Sequence, residues 1–139
     1  MTRVLIIEPP PFPDWKPGKN CVTIGGRRHP ALSVTGEKVY SYLHLAAAAV
    51  LREKGHEVLY RHCLASDLTL DRLEAEIPYL APDLVVLAPE HISLGVSLEL
   101  RRRVRVRVGI PVVLVGPFAT ALAERLCERP GDLVLRQEW

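Results

Sequence analysis

Two glutamates, five histidines and a run of arginines are the residues of this sequence best placed by type and position to do chemistry. Glu8 ends the apolar run Val4-Leu5-Ile6-Ile7, and Glu90 stands two residues beyond the run Leu84-Val85-Val86-Leu87-Ala88. A phospho-acceptor centre would need several acids after the first strand and an Asp after the third, so these two glutamates do not make one. His62-Cys63 closes the second strand segment, and His91 follows Glu90 at the end of the third. Two side chains on separate loops are not a coordination sphere, and both histidines are expected to be solvated loop residues. His44, near the start of a helical stretch, lies on a rim that could approach a ligand, although a plain polar helix residue is the simpler reading. His56 follows Gly55 at the far end of its strand, and His29 falls in a long loop.

The other reactive types narrow the field further. Cys21, Cys63 and Cys127 show no CxxC or CxxxCxxC spacing, which argues against a disulfide framework or an iron–sulfur cluster held within this chain. Gly25-Gly26 lacks the GxGxxG or GxxxxGK[ST] context of a phosphate loop and reads as a flexible turn. Arg101, Arg102, Arg103, Arg105 and Arg107 spread too widely around a helix to form one stripe, with no aromatic interleaved to stack on bases. They are expected to be a solvated face, not a nucleic-acid surface. Ser93 and Thr120 are hydroxyls suited to bonding a ligand or capping a helix. No nucleophile stands with a base and an orienting group, so the chain is not expected to be catalytic on its own.

These residues must be positioned by alternating short apolar runs and helical stretches, the pattern of βαβ units. The first run, at residues 4–7, is apolar throughout and so reads as a central strand. Between Pro9 and Gly36 there are six prolines and four glycines, too much punctuation for a regular element, and a loop of about 28 residues is far longer than a usual βα connection. Phe12 and Trp15 within it either fold back on their own domain or are covered by a ligand or partner. A helix is expected from about Lys38 to Lys54, with Tyr40, Leu43, Ala47, Val50 and Leu51 on one face and Gly55 ending it. Glu57–His62 is an edge strand, and Leu70–Leu80 is a helix in which Pro78 predicts a kink or an early end. Asp83–Ala88 is a central strand. The segment from Ser93 to Gly109 alternates Val and Arg as a strand might, but Val96, Leu100, Val104 and Val108 recur every four residues, and a parallel neighbour requires a crossover helix. Ile110–Val115, Ala119–Glu128 and Leu133–Leu135 complete the series as strand, helix and short strand.

Five strands joined by four crossovers predict a flavodoxin-like, Rossmann-like doubly wound α/β fold in the order 2-1-3-4-5, with helices on both faces of a parallel sheet. Ligands of such sheets sit outside the strand C-termini, where the strand order reverses. That places the expected site at Glu8, Pro9, Pro10, the long loop, Pro89, Glu90, His91, Gly116 and Pro117, with His44, Ser93 and Thr120 close by. With 139 residues, 48% hydrophobic and 24% charged, the chain is large enough for one domain and ordinary in composition. The formal charge of +2 favours no class of partner. No apolar run approaches the roughly 18–20 residues that span a bilayer, and the apolar start is too short for a secretory leader. A cytoplasmic location, with no membrane partner, is the expectation.

Four segments, VLIIEPP, AAAAVLREKGHEV, APDLVVLAPE and PVVLVGPFATALAERLCERPGDLVLRQE, resemble the cobalamin-binding-type N-terminal domain of radical S-adenosylmethionine enzymes, the group that includes magnesium-protoporphyrin ester cyclases. The resemblance covers nearly the whole chain apart from residues 11 to 40. Its most specific pieces are the doubled proline after the first strand and the Gly-Pro-x-Ala-Thr segment of Gly116, Pro117, Ala119 and Thr120. It implies a cobalamin cofactor at the strand C-termini, its nucleotide tail beside the sheet, and metal-ion chemistry at the corrinoid cobalt. It further implies a radical domain as partner, in cis or in trans, carrying the CxxxCxxC cluster site. The chain departs from the pattern in several places. The DxHxxG motif of a lower histidine ligand is absent, Tyr40-Ser41-Tyr42-Leu43-His44 replaces small residues entering the first helix, Glu8 stands where Asn or Asp is common, and Gly116-Pro117 replaces a fuller Gly-Gly-Pro. The alternative expectation is an interaction domain that keeps the fold without the cofactor.

Overall fold

The computed structural model describes residues 1–17, 22–24, 27–29 and 41–136. Strand β1 (Arg3–Glu8) is followed by a short antiparallel hairpin of β2 (Val22–Ile24) and β3 (Arg27–His29). Then come α1 (Tyr42–Glu53), β4 (Glu57–His62), α2 (Leu70–Leu80), β5 (Leu84–Leu87), α3 (Leu94–Arg107), β6 (Val112–Leu114), the short α4 (Pro117–Ala121) and α5 (Ala123–Leu126), and β7 (Leu133–Val134). The main sheet has the order β4-β1-β5-β6-β7 with every pair parallel. In chain order of its own strands this is 2-1-3-4-5, the flavodoxin-like arrangement expected from the sequence.

The hairpin was not expected. It falls inside the Pro9–Gly36 stretch read as loop; Gly25-Gly26, Cys21, and the expected helical turn from Lys38 through Tyr40 lie outside the described residues. The expected fourth helix is two short ones, broken at Leu122. Pro78 is accommodated two residues before the end of α2, which stops at Ala81 in the left-handed region with φ 44°. A proline this late removes one helical hydrogen bond and leaves only a half-turn to lose.

Side-chain alternation along each strand divides the interior into two layers. Leu5, Ile7, Val85, Leu87, Val112 and Leu114 face α2, α3, α4 and α5, whose Leu70, Leu73, Ile77, Val96, Leu100, Val104, Ala119 and Leu126 complete the larger core. Val4, Ile6, Val58, Val86 and Val115 face the opposite way and meet Ala47 and Ala48 of α1. Among the described residues the cover is therefore unequal, with α1 the one helix on its face. Right-handed crossovers produce this result, because one connection runs leftward across the sheet and the others run rightward.

The arginine run is solvated at Arg102 and Arg107, 58% and 69% exposed, and half-buried at Arg101, Arg103 and Arg105, and all five are engaged by partners. On α3, Arg103 donates to Glu99, Asp71 and Glu74, and Arg102 donates to Glu99. Arg105 bonds the buried carboxylate of Asp132 just before β7, and Arg101 donates to the Leu126 carbonyl at the end of α5. The guanidiniums thus tie α3 to α2 on one side and to the last β-strand on the other. The exposed pairs among them contribute little each; their geometric role is to fix how neighbouring helices lie.

Leu100 is fully buried at the centre of the larger core, and truncating it there leaves a cavity. Leu100→Ala is expected to lower the unfolding free energy by about 2–5 kcal/mol. Tyr79→Ala, at a side chain left 90% exposed, should stay within about 0.5 kcal/mol of the parent. Urea denaturation followed by circular dichroism checks both.

Candidate functional site

The parallel register of β1 with β4 sets Ile6 beside Tyr60 and Glu8 beside His62. Because alternate residues share a face, Glu8 follows Val4 and Ile6 onto the α1 side, and His62 follows Val58 and Tyr60 there. His44 approaches from the first turn of α1. The C-terminal edge of the sheet therefore buries one carboxylate under three donors. Tyr60 Oη donates to Glu8 Oε1 over 2.7 Å. His44 Nδ1 is 3.0 Å from the same oxygen, and His62 Nε2 is 3.3 Å from Glu8 Oε2. Ser41 Oγ lies 2.6 Å from His44 Nδ1, so that nitrogen is shared between hydroxyl and carboxylate. Glu8 and His62 are each 2% exposed and His44 is 5% exposed.

Burial alone pushes the Glu8 carboxyl up, since it penalises the charged form. The hydrogen bond and attraction of His44, the attraction of His62 and the Tyr60 hydroxyl outweigh it and hold the group at about 2. Glu8 is thus a permanently ionised acceptor at neutral pH, with no proton to give and little basicity to take one. Its work is to orient the two imidazoles and the phenol.

His62 has its tautomer fixed by its neighbours. The Ala65 backbone N–H donates to His62 Nδ1 over 3.1 Å, so the ring proton resides on Nε2 and points at Glu8. A nitrogen that carries this proton is a donor and not a metal ligand. The two histidines and the carboxylate therefore form a hydrogen-bonded cluster, and among the described residues no three His, Cys, Asp or Glu side chains are arranged to hold a metal ion. The sequence expectation of a solvated His62 is corrected here: strand alternation carries it into the interior. His44 is likewise buried instead of lying on a polar helix surface.

The remaining candidates cluster on the loops after β5 and β6. Ser93, fully buried at the N-cap of α3, accepts from the Glu90 N–H over 3.0 Å. Thr120 donates to the Gly116 carbonyl over 2.9 Å. Both hydroxyls thus shape their own loops. His91 is exposed and its ring meets Phe118 edge-on with centroids 6.3 Å apart, which joins the two loops. Gly116 adopts φ 97°, a conformation that favours glycine, and an added Cβ there would meet nothing within 4 Å. Pro117 is exposed at the first position of α4, while Pro9 and Pro10 are buried directly behind Glu8. Trp15 folds back on its own domain: it is 3% exposed and packs on Leu64, after its N–H bonds the Phe12 carbonyl over 3.1 Å.

No family model, curated protein or solved structure matches this chain. A groove of about 530 Å³ lies between α2 and α3, lined by Asp71, Glu74, Pro78, Arg102, Arg103 and Arg107. It is on the sheet face opposite Glu8, and its arginines Arg102, Arg103 and Arg107 are engaged by Glu99, Asp71 and Glu74, so we read it as an ion-pair seam. Among the described residues no helix is long and apolar enough to cross a membrane.

The site missed from the sequence consists of Ser41, Tyr60 and His62. Its signal was the alternation Val58-Tyr60-His62 beside Val4-Ile6-Glu8, which puts both sets on one face once the strands are paired in register.

A carboxylate whose pKa falls from 4.5 to about 2 on folding contributes stability that is fully present above about pH 5 and is lost as pH falls toward 2. Glu8→Gln should therefore flatten the acid side of the stability profile between about pH 5 and 2, besides lowering stability at neutral pH. Tyr60→Phe should cost about 1.5–3 kcal/mol, the range for a hydrogen bond to a charged group. Thermal melts of parent and variants across that pH range would show both effects. A parent-like acid slope in Glu8→Gln would refute the ionised-acceptor assignment.

Proposed function

We propose that this chain is a corrinoid-binding module serving a radical S-adenosylmethionine domain, in the same polypeptide or in another. The observation that carries the reading is the sheet order: it puts the doubled proline, the Glu90 loop and the Gly116 loop together at the strand C-termini, where open α/β sheets take their ligands. The resemblance of the same segments to cobalamin-binding-type domains supplies the ligand class.

The residues present fit such a group held without an imidazole from this cluster on its cobalt. The Nε2 proton of His62 is directed at Glu8, its Nδ1 is occupied by Ala65, and His44 Nδ1 faces Glu8 and Ser41. Gly116 is buried, with no atom within 4 Å of where a Cβ would stand, and the exposed Pro117 and His91 beside it would make the outer contact. Pro9, Pro10, Glu90, His91, Gly116 and Pro117 would line the contact, with Ser93 and Thr120 holding the loops in shape. When bound, the corrinoid supplies the methyl-transfer or radical chemistry. The chain's own residues position the ring and keep the loops rigid. This reading goes with a cytoplasmic location.

A second reading keeps the fold as an interaction domain without cofactor. It draws on the exposed apolar side chains of α1 and the β7 edge, which the strand-end site does not use.

Titrating the purified chain with hydroxocobalamin, with visible absorption and melting temperature followed together, tests the first reading. A saturable spectral change and a raised melting point are expected, and Gly116→Val should weaken the binding at least about tenfold, an effect of about 1.4 kcal/mol. If the parent chain moves neither signal, the corrinoid reading is wrong and the interaction reading takes its place.

A further inference from the structure

Residues 63–67 form the turn between β4 and α2, and its hydrogen bonds tie it to two strand ends. The Cys63 N–H donates to the Glu8 carbonyl over 3.0 Å, the Ser66 N–H to the His62 carbonyl over 3.0 Å, and the Leu68 N–H to the Cys63 carbonyl over 2.8 Å. Asp67 stands in the left-handed region with φ 51°, which aspartate tolerates at some cost. The turn is therefore a strained piece of chain held from several sides. Its Leu64, 3% exposed, packs with Trp15, so the loop after β1 rests on it.

One of the bonds that hold the turn depends on protonation. The Ala65 N–H donates to His62 Nδ1 over 3.1 Å, which requires that nitrogen to keep its lone pair. His62 Nε2 faces Glu8 Oε2 at 3.3 Å, so each nitrogen has its own task. A second proton has only Nδ1 to go to. There it would set two donors face to face where the ring is 2% exposed. The other bond changes in the opposite sense. An imidazolium donates to the ionised Glu8 more strongly than an imidazole does, and an anion at that distance favours the second proton. Proton uptake therefore tightens one side of His62 and breaks the other.

We propose that His62 is a pH-operated latch: its second proton expels the Ala65 N–H and releases the turn after β4, with the Trp15 loop that lies on it, while the His62–Glu8 pair still holds β4 to β1. Among the described residues, the titratable groups around the ring are Glu8 from β1, Tyr60 on β4, His44 from α1, and Cys63 and Asp67 in the turn. Arg61, next to it in β4, points to the other face and pairs with Glu76 of α2. Histidine is the type among these that ordinarily changes charge between about pH 5 and 8. Glu8, held at about 2, stays ionised throughout that range. His44 meets the other oxygen of Glu8 from the α1 side, so its titration can be separated by substitution. The latch does not require a corrinoid, but it acts on the segment from Pro9 to Trp15 that leads from β1 into the strand-end site.

Nuclear magnetic resonance of the purified chain from about pH 8 to about pH 5, the range in which histidine titrates, is the test. Long-range proton–nitrogen spectra follow the His62 ring, and hydrogen exchange, corrected for its intrinsic pH dependence, follows the Ala65 amide. Ala65 protection is expected to fall about tenfold for each pH unit below the titration of His62. Trp15 emission should shift to longer wavelength over the same range in a Trp139→Phe background. His62→Asn keeps a side-chain oxygen to accept the Ala65 N–H but cannot titrate, so its Ala65 protection should not change with pH. His44→Gln should retain the pH-dependent loss. A parent chain whose Ala65 amide stays protected down to about pH 5 overturns the proposal, whether or not the His62 ring titrates. A loss that persists in His62→Asn, or that disappears in His44→Gln, overturns it equally, since the proton then acts elsewhere.

Discussion

A carboxylate that is 2% exposed must be satisfied on every side, or its burial would cost several kcal/mol. Glu8 imposes that constraint at the end of the central strand β1, and much of the surrounding geometry follows. Its donors come from β4 and α1, so the register of β4 and the placement of the first turn of α1 are both fixed by one group. A slip of β4 by a single residue would turn Tyr60 and His62 to the other face. Glu8 would then lose two of its three donors. The apolar pairs below, Val4 with Val58 and Ile6 with Tyr60, favour the same register, but hydrophobic contact alone tolerates exchange and adjustment. The polar cluster does not.

The same cluster explains why the β1–β4 end of the sheet is chemically quiet. His62 is held by Glu8 on one nitrogen and by Ala65 on the other. Trp15 packs on Leu64, two residues beyond His62, and so draws the β1 loop over the end of β4. What stays accessible is the other half of the edge, where the β5 and β6 loops meet through His91 and Phe118.

The fold was largely legible in the sequence because its central strands are short runs without polar interruption and its helices carry four-residue spacing. The pattern at Val96, Leu100, Val104 and Val108 predicted α3 correctly against the Val–Arg alternation beside it, and Leu70–Leu80 coincides with α2. The fourth helix was overextended because periodicity does not reveal a break at Leu122. Of the buried cluster, Glu8 and His44 could be singled out by position, Glu8 as the acid closing a strand and His44 as a residue entering a helix. Tyr60 and His62 could not be added until β4 was known to lie beside β1 in register, since their roles depend on a non-local pairing. The long-range ion pairs of the arginines were missed for the same reason. Their partners Asp71, Glu74 and Asp132 are 27 to 32 positions away in sequence for the bonds from Arg103 and Arg105, and local charge patterning carries no trace of them.

The two faces of the sheet have solved the problem of cover differently. On the α2–α3 side, the larger apolar core is closed over by a seam of ion pairs, which water screens. On the α1 side, the one helix among the described residues packs through Ala47, Ala48, the half-buried Leu51 and a histidine whose ring is committed to Glu8. The alanines let α1 lie close to the sheet, while Tyr42, Leu43, Leu45 and Val50 are turned outward. Glu8 thus fixes where α1 lies, and the strand residues of the same layer, Val86 and Val115 among them, are buried beside it.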